Sequence, residues 1–544
     1  MPGPLAELRD AVESAAGAVT GANGRTGPRP TLERPKKAGF GDYATNAAML
    51  LAPAAGAPPR EVAAQLASEL QSRLGASLER VEVAGPGFLN LFLSDGWCAA
   101  ALAHVLAAGS AFGGGFAAEP ERIDVEFVSA NPTGPMTAAG GRHAAYGDSL
   151  ARLLEFGGHD VTREYYINDF GSQVQRLGES IRARARHEEL PEGGYEGEYV
   201  AELADRIPNA RNDDVEVLAE RGVALLLEGI RASMRAMRVD FDVWFSEHTL
   251  HEGEPTKVAH AFSELEALGE TYRHEGALWL RTTGHGDDKD RVLERSSGEH
   301  TYFASDIAYH LDKLERGFDR LIDVWGADHH GYTGRMHAAF AALGRGEGAL
   351  ELIIMQFVNL IERGERASMS KRRGDFVTLD ELIALIGVDA ARFFMLQRSH
   401  DTTVDLDLDL AREQSSDNPV YYVQYAHARI ASILKKAGAP RVQAALAEAA
   451  GYAGTLDPSE RTLVKKLLAF ADDVAEAAER RAPHRMAAYA LELAQTFTAF
   501  YRDCQVVGAE GEGVESFRLA LSVAAQRTIA RSLDLLGVSA PQQM

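Results

Sequence analysis

The stretch Val125–Asp148 constrains this chain most. A short apolar run, Ile123 to Val128, has strand length and β-branched character. Pro132, Gly134 and Pro135 then break it with a turn. Beyond the turn Ala144, Ala145, Leu150, Leu153 and Leu154 recur at helical spacing until Gly157-Gly158. A strand feeding a helix through small residues lets backbone N–H groups meet an anion at the helix N-terminus. Gly140 and Gly141 would let a nucleotide approach the backbone closely. An ordinary βα turn has the same glycine pattern, so this stretch alone does not choose between the two.

The neighbouring residues choose. Asn131-Pro132-Thr133-Gly134-Pro135, then Arg142, Tyr146-Gly147-Asp148 and Arg163-Glu164-Tyr165-Tyr166-Ile167-Asn168-Asp169, strongly resemble arginyl-tRNA synthetases, which are class I aminoacyl-tRNA synthetases. The likeness runs from the first domain to the last residue. It has one departure: the family's His-Ile-Gly-His tetrapeptide falls on Thr137-Ala138-Ala139-Gly140, so both signature histidines are absent.

At 544 residues the chain is too long for one core. The reading is residues 1–118 as an N-terminal additional domain and 119–415 as a catalytic domain with an inserted segment at about 177–290. Residues 416–544 follow as an all-α bundle. Alternating strands and helices in the middle predict a doubly wound α/β parallel sheet, Rossmann-like, with ligands at the carboxyl ends of its strands. The net charge of −23 argues mildly against a nucleic-acid partner, because a non-specific DNA binder is normally basic, and composition alone favours a metabolic enzyme over a tRNA enzyme. Local basic patches remain compatible with RNA. No apolar run of membrane-spanning length occurs and the N-terminus lacks a secretory pattern. With only Cys98 and Cys504, a reducing cytoplasm is expected. Separately, a monomer is expected.

In the first domain, Gly41-Asp42-Tyr43-Ala44-Thr45-Asn46 and the strand Val81 to Leu93 both match the family's domain for the tRNA elbow. Phe88 and Phe92 are expected in the core, and Ala107 to Pro120 reads as a linker. Lys36, Lys37 and Tyr43 are candidates to touch RNA by charge and stacking, with a solvated loop beside a core tyrosine as the alternative. Ala277 to Arg281 and Asp290 to Leu293 predict a hairpin, with Asp287 and Asp288 in a solvated turn rather than at a metal. In Asp328-His329-His330, adjacent histidines do not share a helix face, and no metal site is expected.

Tyr302 and Asp306 are four apart and share a helix face. A phenol and a carboxylate there suit a planar guanidinium. Arg366 to Gly374 resembles the family's Lys-Met-Ser-Lys-Ser loop, with Ser368 for the first lysine and Arg372 at the end. A lysine on such a loop neutralises pyrophosphate as charge develops.

The resemblance implies ATP-dependent activation of L-arginine and transfer to the 3′ end of its tRNA, with Mg²⁺ accompanying ATP. Glu126, Ser129, Asn131, Tyr302, Asp306 and His329 would hold arginine. Pro132, Thr133, Gly134, Pro135, Thr137, Gly140, Gly141, Gly326, Asp328 and Lys371 would hold ATP. Met369, Ser370, Lys371, Thr137, Gly140 and His143 would act in catalysis, His143 standing in for a lost histidine one helical turn on. Tyr43, Asn46, Tyr425 and Met544 would meet tRNA. Two rivals remain: a catalytically impaired tRNA-binding relative, and a nucleotidyl transferase of the same fold acting on another small substrate.

Overall fold

The computed structural model describes residues 3–20, 30–35, 39–346, 348–366 and 377–544. Five parallel strands form the central sheet: β1 (Arg122–Glu126), β2 (Asp160–Ile167), β3 (Val243–Ser246), β4 (Arg320–Gly326) and β5 (Leu350–Met355), in the order β5-β4-β1-β2-β3. The chain winds outward from β1 to β3, then crosses to lay β4 on the other side of β1. That reversal opens a crevice at the carboxyl ends of β1 and β4, where ligands of such sheets bind.

Along β1 the two faces differ sharply. Ile123 and Val125 are buried apolar, whereas Asp124 and Glu126 are buried charges on the opposite face. Parallel pairing sets Asp323 of β4 level with Glu126. Helix α1 (Ala138–Gly157) follows β1, and helix α2 (Tyr302–Glu315) precedes β4. Both start on threonine caps: Thr137 accepts from Gly140 N at 3.4 Å, and Thr301 from Ala304 N at 3.4 Å. α1 therefore begins at Ala138, so the tetrapeptide at Thr137–Gly140 is a helix cap and first turn rather than a free loop.

The 177–290 range expected as one insertion contains β3, a strand of the main sheet. Two separate elaborations flank it. One is three helices, Ser172–Arg186, Glu198–Arg206 and Val215–Ala236, with their own apolar core. The other is an antiparallel sheet of Thr271–His274, Ala277–Leu280 and Arg291–Glu294, which contains the predicted hairpin and one further strand. Asp287 is not simply solvated: both its oxygens accept from Arg291, at 2.7 and 2.8 Å.

The N-terminal domain packs helices Pro4–Thr20, Ala47–Ala55, Pro59–Leu74 and Asp95–Ala108 on a four-stranded sheet. Its strand Phe88–Leu93 has the reverse phase from that expected: Leu89, Leu91 and Leu93 fill the core while Phe88 is 38% exposed. Phe92 lies beneath the Arg80 guanidinium, 3.5 Å from the ring centre. Ala107 to Pro120 is no free linker. It contains the end of a helix, and Phe112 stacks on Phe470 of the C-terminal bundle at 6.1 Å.

The C-terminal region is all helical. α3 (Pro419–Ala437) opens on Asn418, which accepts from Val420 N at 3.2 Å, with Pro419 at the first helical position. Helix α4 (Pro458–Glu479), His484–Asp503 and Val514–Leu535 complete the bundle core.

Candidate active site

A cavity of about 520 Å³ occupies the crevice at the strand ends. All six residues expected to hold arginine line it: Glu126, Ser129, Asn131, Tyr302, Asp306 and His329. Two of the residues expected to hold ATP, Gly326 and Asp328, line it too, as does His143, expected to act in catalysis.

The backbone after β1 is bent to bring Ser129 there. Val128 and Ser129 take φ of 71° and 38°. A left-handed β-branched residue costs roughly 1–3 kcal/mol and persists only where its surroundings enforce it. Ser129 Oγ donates to Glu126 Oε1 at 2.8 Å and accepts from Tyr166 N at 3.1 Å. Asn131 donates to Gln173 Oε1 at 2.8 Å. Asp306 accepts from the Tyr332 hydroxyl. Tyr302 is 65% exposed at the mouth of the cavity.

The cavity is short of positive charge. Burial raises the Asp306 carboxyl above its ordinary range, against the Tyr332 hydrogen bond and His310, which lower it. Burial, and then the charge of Asp306, push Glu247 up to about 7. Glu247 follows β3, is buried, and its Oε2 has no hydrogen-bond partner. Two carboxyls disfavoured as anions welcome a bound cation, and a guanidinium offers five N–H donors.

The sequence reading missed Glu247, which nothing local distinguishes from other acids. It also missed Lys313, whose Nζ lies 2.7 Å from Glu126 Oε2. Lys313 was legible in principle, because Asp306, His310 and Lys313 recur at helical spacing.

Other expected residues do not reach the cavity. Pro132, Thr133 and Gly134 are buried, and Thr133 O accepts from Tyr199 of the helical elaboration at 2.8 Å. Pro135 is half-buried and, like Thr137, Gly140 and Gly141, stands outside the cavity lining. A Cβ on Gly140 would sit 2.4 Å from Met136 Sδ, and one on Gly141 2.6 Å from Leu379 Cδ1. These glycines stand against the ends of two flexible apolar side chains. Met369, Ser370 and Lys371, like Lys36 and Lys37, lie outside the described residues. The segment that follows the loop does touch α1: Ala138 N donates to Val377 O at 3.0 Å, and Leu379 N to Met136 O at 2.9 Å.

His143 is not turned to solvent. It lines the cavity, its Nδ1 is buried without a partner, and burial followed by the Arg142 charge lowers it to about 4. It is therefore a neutral imidazole at pH 7 with a single N–H, for which the Val324 carbonyl competes. Among the described residues no group of three or more His, Cys, Asp or Glu side chains is arranged to hold a metal ion, and no helix is long and apolar enough to cross a membrane.

The RNA candidates divide. Tyr43 is 2% exposed and forms part of the core, edge-on to Trp97, so it offers no stacking face. Asn46 is half-buried, and its Oδ1 accepts from Thr31 N at 3.1 Å. Tyr425 and Met544 stand together in a groove of about 920 Å³ with Arg429, Lys435, Lys436 and Tyr501.

A reversing parallel sheet, an acidic crevice at its switch point and a helical bundle with a basic, aromatic groove define a class I tRNA synthetase. Residues 102–430 match the family model of the tRNA synthetases class I (R) catalytic domain. Residues 6–93 match the arginyl tRNA synthetase N terminal domain, and residues 423–544 the DALR anticodon binding domain. The arginine–tRNA ligase of Geobacillus thermodenitrificans is 44% identical over 99% of this chain and 98% of its own length. That of Bacillus subtilis is 43% identical over 95% of each chain. The solved arginyl-tRNA synthetase of Thermus thermophilus superposes with a TM-score of 0.77 at 26% identity, covering 99% of this chain and all of that one. The chain belongs to the arginyl-tRNA synthetase family.

Proposed function

We propose that this protein activates L-arginine with ATP and esterifies the adenylate to the 3′ end of its tRNA. The observation that carries this reading is the acidic cavity at the switch point, lined by Glu126, Asp306 and Asp328, where burial leaves Asp306 reluctant to ionise without a cation. Arginine brings a guanidinium and an α-ammonium. Asp306 and Tyr302 take the guanidinium as acceptors, with Glu247 buried behind them. Glu126, Ser129, Asn131 and His329 form the rest of the amino-acid subsite.

The arginine carboxylate attacks the α-phosphorus of ATP, which enters as its Mg²⁺ complex, and pyrophosphate leaves. A ribose hydroxyl of the tRNA end then attacks the mixed anhydride and AMP leaves. No covalent enzyme intermediate is needed, so the chain contributes positioning and charge stabilisation. Gly326 and Asp328 border the nucleotide. His143 donates an N–H toward the phosphates, which the absent signature histidines would otherwise supply. Lys371, with Met369 and Ser370 beside it, neutralises pyrophosphate.

For tRNA, the groove of Tyr425 and Met544 takes the anticodon by stacking and by phosphate contacts from Arg429, Lys435 and Lys436. In the N-terminal domain the stacking faces are Phe40 and Phe88, which border a hollow of about 340 Å³, in place of Tyr43. The protein acts as a cytoplasmic monomer with neither DNA nor a membrane as partner.

Arginine-dependent ATP–pyrophosphate exchange in the presence of tRNA tests this. Lys371→Ala is expected to slow exchange by about 100-fold, the scale of one lost transition-state donor. Equal exchange by parent and variant would remove Lys371 from the chemistry.

A further inference from the structure

Beneath the cavity floor lies a lysine that the reaction does not obviously use. Lys313 is 0% exposed. It follows Asp306 by seven residues and Tyr309 by four on α2, so it faces the sheet. Its Nζ lies 2.9 Å from Asp124 Oδ1, 2.7 Å from Glu126 Oε2 and 3.1 Å from Asp323 Oδ1. It donates hydrogen bonds to Glu126 and Asp323, whereas Asp124 stands at ion-pair distance with neither oxygen hydrogen-bonded.

The three carboxylates are not equivalent. Asp323 is also held by His310 Nε2 at 2.7 Å. Asp124 is sealed inside, and burial carries it up to about 8 against the pull of Lys313. Glu126 alone of the three borders the cavity, with its other oxygen taken by Ser129 at 2.8 Å. The nearby Glu164 is separately satisfied by Arg316 at 2.7 Å and Tyr309 at 2.9 Å. A buried pair needs one lysine for one carboxylate. Here Lys313 neighbours three carboxyls, and Glu126 is the one of them that meets the substrate cavity.

We propose that Lys313 is a positioning residue for the amino-acid substrate: with Ser129 it fixes the orientation of the Glu126 carboxyl in the cavity wall without touching the substrate itself. The inference rests on reading that cavity as the arginine subsite. Removing the ammonium leaves Glu126 held by Ser129 alone and free to rotate, which weakens its hold on a cation.

The test is a double-mutant cycle with Lys313→Met and Glu126→Gln, reading KM for arginine, ATP and tRNA alongside kcat. Lys313→Met is expected to raise arginine KM by about tenfold or more and to leave ATP KM within about twofold. In the Glu126→Gln background the same substitution should change arginine KM by less than about threefold, since the residue it acts through is gone. Should Lys313→Met fail to fold by circular dichroism, Lys313→Met/Asp124→Asn removes one carboxylate with the lysine and is compared with Asp124→Asn against the same thresholds. An arginine KM unchanged by the lysine substitution, or raised equally in both backgrounds, would overturn the inference. An arginine KM unaffected by Glu126→Gln alone would instead overturn the reading of the cavity.

Discussion

Lys465 Nζ donates to Asp42 Oδ1 at 2.8 Å, fastening the N-terminal domain to α4 of the helical bundle. Arg461 adds bonds to Asp42 Oδ2 at 3.1 Å and to Leu93 O at 2.6 Å. The Gly41–Asn46 motif thus joins the two regions read as binding tRNA, with Asp42 rather than Tyr43 as its working side chain.

Asp42→Asn should therefore destabilise the protein by about 1–3 kcal/mol at pH 7. Burial raises this carboxyl, but Lys465, Leu93 N and Arg461 outweigh it and hold it below its ordinary value of 3.8. A lowered carboxyl contributes stability that is complete above the unfolded value and vanishes as pH falls through the folded one. Urea unfolding of parent and variant should differ at pH 7 and converge as pH falls well below 3.8. A constant difference across that range would remove the charge from the account.

Asp306→Asn keeps the shape and removes the charge. A charge-assisted hydrogen bond is worth about 1.5–3 kcal/mol, so arginine KM should rise roughly ten- to a hundredfold. ATP KM should stay within about twofold, because the change is confined to the amino-acid end. Steady-state kinetics in both substrates check this, and an unchanged arginine KM would exclude Asp306 from the site.

How much of this was legible in the sequence depends on range. The β1–turn–α1 unit and the Tyr302–Asp306 pair were readable because strand period and helical spacing act within a few residues. Strand Phe88–Leu93 was misread because both its faces are apolar: Phe-Leu-Asn-Leu-Phe-Leu alternates without naming the inside. Pro132–Gly134 resembled a nucleotide turn, and only the distant Tyr199 shows why they are buried. Glu247 and Lys313 acquire meaning from strand order, which brings β3, β1 and β4 into one sheet and cannot be read from spacing.

The C-terminal tail is pinned as far as Pro541. His427 donates to Pro541 O at 2.8 Å, and Gln424 to Ser539 O at 2.9 Å. Deleting residues 542–544 keeps these bonds, removes the one that Gln526 donates to Gln542 at 3.3 Å, and strips one edge of the groove beside Tyr425. We expect tRNA KM to rise by about tenfold, the loss of one stacked or hydrogen-bonded contact, with ATP KM nearly unchanged. A normal tRNA KM would leave the tail with a structural role only.

His143→Ala should slow single-turnover adenylate formation by about tenfold or more, as loss of a positioned donor does. His143 titrates near 4, so its contribution should be flat from about pH 6 to 8, where it stays neutral. A loss under about twofold would dismiss the imidazole as a replacement for the missing histidines.

The central claim is amino-acid choice coupled to tRNA. The most direct measurement is aminoacylation of total tRNA by the full chain, with ATP and each of the standard amino acids in turn. The account predicts a stable ester with arginine alone, dependent on ATP. Charging with a different amino acid, or tRNA binding without arginine transfer, would contradict it.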